Sequence, residues 1–75
     1  VTERIRAVIL DLALARGRDR SLCPSEVARA LAVDWRPLMP EVRAVAATMP
    51  EIMAIQGGAE VDPVAAKGPI RLRLR

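Results

Sequence analysis

At Pro50 the apolar pattern of the chain changes its period, and this change limits the possible folds more than any figure of composition. Before it, apolar residues recur every three or four positions, the spacing of one helix face; after it EIMAIQ is strand-like and IRLRLR alternates. Helical stretches followed by strand-like ones read as an α+β fold in which helices cover one face of an antiparallel sheet. With 75 residues and one cysteine, the chain has no internal disulfide and little length from which to build a core. All of residues 1–75 are therefore expected in one domain.

Three helices are expected, over about 3–16, 24–33 and 35–49. The first, ERIRAVILDLALAR, lacks Gly and Pro and follows Thr2, a suitable N-cap. Ile5, Val8, Ile9 and Leu12 share one face, and Gly17 ends the helix. A second stripe, Ala7, Leu10 and Leu14, marks either a central helix or one that lends a face to a partner. In the second helix Pro24 suits the first position, Cys23 the N-cap and Glu26 the third position. That is a capping box with a thiol in place of the usual hydroxyl, and so a weaker one.

Asp34, the next N-cap candidate, comes only three residues after Leu31, which is the spacing of a helix-turn-helix. Pro37 and Pro40 both fall near the start of the third helix. They predict a separate or distorted turn over 35–38 and a main helix from about Pro40 to Thr48. Leu38, Val42, Val45 and Met49 would face inward. Strands follow over about 51–56, 59–62 and 70–75, with the Gly57–Gly58 pair as a hairpin turn and IRLRLR alternating strictly. The order is that of a winged helix-turn-helix: a three-helix bundle, a β-hairpin wing and a further C-terminal strand.

The stretches CPSEVARAL at 23–31, WRPLMPEVRAVA at 35–46, QGG at 56–58, VDP at 61–63 and KGPIRLR at 67–73 carry a likeness through most of the chain. In them the chain resembles a family of small bacterial winged-helix domains of unknown function. The resemblance implies the fold and brings no activity to particular residues. Winged helices often bind DNA, which is an analogy of fold alone.

Twelve basic and nine acidic groups give a net charge of +3, a balance that permits nucleic-acid contact without demanding it. Opposite the inner face of the third helix stand Arg36, Arg43, Ala44 and Ala47. The two Arg suit phosphates or guanines, but the face has no Asn, Gln or Ser to read bases. The bland reading pairs these Arg locally with Asp34 or Glu41. Arg71, Arg73 and Arg75 repeat about 6.6 Å apart along the last strand. They form either a positive rail for phosphates, with Lys67 beside it, or the solvated face of a three-stranded sheet. Trp35, the lone aromatic, is expected as the largest piece of the core, with stacking on a base as the alternative. Cys23 reads as a cap before it reads as a redox or modification site.

The chain has no His, no hydroxyl beside a plausible base and no phosphate-cradling Gly loop, so no enzyme, cofactor, metal site or small-molecule ligand is expected. No apolar run is long enough to span a membrane, and a cytoplasmic setting follows as the default. Two functions remain. One is nucleic-acid binding through Arg36, Arg43, Arg71, Arg73 and Arg75. The other is a protein-interaction or homodimerisation module using Ala7, Leu10 and Leu14.

Overall fold

The computed structural model describes residues 2–75; Val1, counted in the expected domain, lies outside them. Helices α1 (Thr2–Arg16) and α2 (Pro24–Leu31) are followed by a 3-10 turn at Arg36–Leu38 and by α3 (Met39–Ala47). Strands β1 (Ile52–Gln56), β2 (Ala59–Val61) and β3 (Arg71–Leu74) complete the chain. Three helices and a three-stranded antiparallel sheet make an α+β fold, in a layout consistent with a winged helix-turn-helix.

Local chemistry accounts for the helix boundaries. Gly17 adopts φ 78° and donates its N–H to the Ala13 carbonyl at 2.9 Å, which closes α1 in a conformation that L residues rarely take. The two prolines divide the third helical region as their spacing predicts. Pro37 sits in the first turn of the 3-10 segment and Pro40 in the first turn of α3, where neither removes a needed hydrogen bond. Two expectations are corrected. Thr2 lies inside α1 rather than before it, and Trp35, not Asp34, precedes the 3-10 turn with no side-chain cap. Leu38 N–H bonds to the Trp35 carbonyl, so the turn begins one residue later than an Asp34 cap requires.

The sheet order is β2-β1-β3, with β1 antiparallel to both neighbours. Gly57 and Gly58 both take positive φ, 61° and 84°, the signature of a tight two-residue hairpin turn between Gln56 and Ala59. Leu22 extends the sheet beyond β3: it exchanges two 2.8 Å backbone hydrogen bonds with Leu72. One core joins both halves of the chain. Ile5, Ile9, Leu22, Val27, Val42 and Leu72 are each fully buried, and Ile52, Ile70 and Met49 close it. Each such aliphatic side chain contributes about 1.5–3 kcal/mol on burial.

Because β2 and β3 flank β1 and run parallel to each other, residues 62–70 must carry the chain from one flank to the other. This crossing segment is held by two side chains. Gln56 donates to the carbonyls of Lys67 and Pro69 at 2.6 and 3.1 Å. Arg43 of α3 donates to the carbonyls of Pro63, Ala66 and Gly68 at 3.4, 2.9 and 2.7 Å. A guanidinium suits this task because its donors fan out in one plane. Replacing it with Met keeps much of the apolar stem and removes every donor. We expect Arg43→Met to lower stability by about 1–3 kcal/mol and to speed amide exchange across residues 62–69. Unchanged denaturant midpoint and exchange would contradict this role.

Candidate nucleic-acid interface

The five Arg expected to contact nucleic acid do not form one surface of free cations. Arg43 is half-buried and engaged with the crossing segment. The exposed ridge of α3 consists of Pro40, Ala44 and Ala47, all hydrocarbon side chains, while half-buried Glu41 beside them repels phosphate. Neither Asp34 nor Glu41 forms an ion pair among the described residues, so the local pairing considered for Arg36 and Arg43 is not made.

On β3 the alternation sets Arg71 and Arg73 opposite Ile55 and Met53, on the face away from the buried Leu72 and Ala54. Their surroundings then diverge. Arg71 donates to the Ser21 hydroxyl at 3.0 Å and to its carbonyl at 3.1 Å, because the Leu22–Leu72 bridge brings Ser21 alongside. Arg73 is half-buried, and its Nε has no partner. Arg75 grips the Glu60 carboxylate with both terminal nitrogens, at 3.1 and 2.7 Å, and also donates to the Pro50 carbonyl. The regular rail is therefore interrupted: one of its three charges is neutralised and one is bound to the neighbouring chain segment.

Trp35 is not the sealed core residue expected of a lone aromatic. It is half-buried and packs against the core. The guanidinium carbons of Arg29 and Arg36 each lie 4.6 Å from its ring centroid, well within cation–π range. Both Arg are exposed, and among the described residues neither donates to a protein acceptor or pairs with an acid. Val33, at 101% relative exposure, stands two residues before the ring. Three chain segments meet here: the last turn of α2, the connection to the 3-10 turn, and the turn itself. Sequence reading singled out Trp35 and Arg36 but missed Arg29. The available signal was its position in the last turn of a helix that ends just before the tryptophan.

At the other end of α2 the capping arrangement is anchored by charge. The Glu26 carboxylate accepts the Cys23 N–H at 2.9 Å, and Arg16 meets it in a two-pronged pair at 3.1 and 2.5 Å. The Ser25 hydroxyl donates to the Cys23 sulfur at 3.0 Å. The Arg16 guanidinium, and after it the Cys23 N–H, hold the Glu26 carboxyl below its ordinary range. Arg75 does the same to Glu60.

The second stripe of α1 is divided. Leu10 packs against the core, whereas Ala7 is exposed and Leu14 is 59% exposed. No helix among the described residues is long and apolar enough to cross a membrane. Nor do they include a group of three or more Cys, Asp or Glu placed to hold a metal ion.

A small α+β domain whose helix-turn-helix carries an open arginine–tryptophan cluster is the class that fold and surface define. The chain belongs to a family described as "Protein of unknown function (DUF3253)", which matches residues 2–75. No curated protein matches it.

The Glu26 pair gives a pH prediction. A carboxyl whose folded pKa is lowered contributes stability above its unfolded value of about 4.3. That contribution disappears as pH falls through the lowered folded value. Stability should therefore decline on acidification below about pH 4.3, and Glu26→Gln should make the decline shallower while lowering stability at pH 7. Parallel pH profiles of wild type and variant in urea unfolding would contradict this.

Proposed function

We propose that the domain binds nucleic acid, chiefly through the sugar–phosphate backbone, at the helix-turn-helix surface formed by Arg29, Trp35 and Arg36. The observation that carries this reading is the pair of exposed guanidiniums set against one ring with no acceptor on either among the described residues. Stacking limits their motion and leaves their N–H edges free for phosphate oxygens. Arg71 and Arg73 are secondary contacts at the sheet, and Arg43 and Arg75 serve the fold first. On this reading the domain is a regulatory or accessory module of a bacterial cytoplasm, with no catalytic chemistry and no cofactor.

The alternative is protein interaction or dimerisation through α1. It rests on exposed Leu14 beside Ala7, but Leu10 between them turns into the core and narrows the patch. Apolar association would also be insensitive to salt, unlike phosphate contact.

Fluorescence anisotropy with a labelled mixed-sequence duplex carrying a single-stranded tail tests the proposal. Affinity should fall steeply as salt rises. Arg29→Gln with Arg36→Gln should weaken binding at least tenfold at low salt and flatten the log–log salt slope by roughly 1.5. Both sites are exposed, so the thermal unfolding midpoint should hold. Wild-type binding that ignores salt, or a double variant that binds as wild type does, would overturn the proposal.

A further inference from the structure

Nucleic acids offer a protein three kinds of surface: phosphates, base edges and base faces. A duplex hides its base faces in the stack, whereas an unpaired strand exposes them. The helix-turn-helix surface is equipped unevenly for these three. The edges have no reader, because the α3 ridge is Pro40, Ala44 and Ala47 and the one Arg along that helix is engaged by three carbonyls of the crossing segment. Phosphates have two guanidiniums that are unpartnered among the described residues. Base faces have the two exposed guanidinium planes set over the half-buried Trp35 ring.

From this imbalance, and resting on the nucleic-acid reading above, we infer that the ligand is a single strand, one of whose unpaired bases stacks on the Arg29–Trp35–Arg36 group. Guanidinium planes extend an aromatic platform, because bases stack on Arg as well as on Trp. The two guanidinium carbons are no further apart than twice 4.6 Å, so both lie close enough to the ring to meet the phosphates on either side of the stacked base. Fully exposed Val33 adds apolar surface two residues before the ring in the chain. Recognition of this kind is tolerant of sequence, since every base has a face to stack.

The experiment compares a labelled single-stranded DNA of about ten nucleotides, a length within one domain's reach, with its RNA counterpart and with the DNA duplex of the same sequence. Anisotropy gives the affinities, and Trp35 emission reports stacking. At least one single strand should bind about tenfold or more tightly than the duplex and quench Trp35. Arg29→Lys with Arg36→Lys keeps both charges on exposed sites and removes the planar groups. It should reduce the single-strand preference severalfold and leave a salt-dependent residue of binding. Trp35→Leu should do the same, with circular dichroism confirming that it folds. Equal or tighter binding of the duplex, or a single-strand preference unchanged in the Lys variant, would overturn the single-strand inference while leaving nucleic-acid binding in place. No binding of any of the three at low salt would overturn both.

Discussion

The contact on which the arrangement depends is that between Arg43 and the crossing segment. A sheet with β1 at its centre needs a connection from one flank to the other, and such a connection leaves backbone carbonyls facing the helices. Those of Pro63 and Ala66 are partly buried, where a carbonyl without a partner is costly, whereas those of Lys67, Gly68 and Pro69 lie at exposed residues. Arg43 answers three of them from a single residue of α3, and Gln56 answers two more from the end of β1. The segment then lies against the helix that would otherwise present Arg43 outward. The charge most naturally assigned to base reading thereby becomes part of the scaffold.

That commitment changes which cations stay free. With Arg43 turned to the crossing segment and Arg75 to Glu60, the two cations beside Trp35 are left without partners among the described residues. The position follows from the local chain. Pro37 and Pro40 keep the main helix from starting at Trp35, so the ring sits on a short turn with Arg36 next to it and the last turn of α2 bringing up Arg29. Had α3 run unbroken from Asp34, these groups would lie along one helix face instead of meeting across a connection.

Much of the fold was legible because it depends on period and on residues with narrow backbone preferences. The alternation of IRLRLR, the Gly57–Gly58 turn and the two prolines each point to one local structure, and the strands and the 3-10 turn follow them. The α+β order needed nothing more. What could not be read was the identity of partners. Alternation shows that Arg71 and Arg73 leave the core face, but not that a bridge at Leu22 brings Ser21 to Arg71, nor that Arg75 meets Glu60 from β2. The crossing of residues 62–70 is equally invisible, since a hairpin followed by a strand fits several sheet orders. Trp35 misled for a related reason. Size argued for burial, while the two cations that make partial exposure favourable come from positions six residues before it and one after.

On the proposed reading, contact with nucleic acid centres on Trp35 and not on the sheet. The most direct measurement is a two-dimensional nitrogen–proton NMR titration of the isotope-labelled chain with a short single-stranded oligonucleotide. Its one tryptophan gives one indole N–H signal. This signal, with the side-chain Nε signals of Arg29 and Arg36 and the amides of residues 29–36, should shift most, while the amides of β3 move little. Largest shifts on Arg71 and Arg73, with the indole unmoved, would contradict that reading.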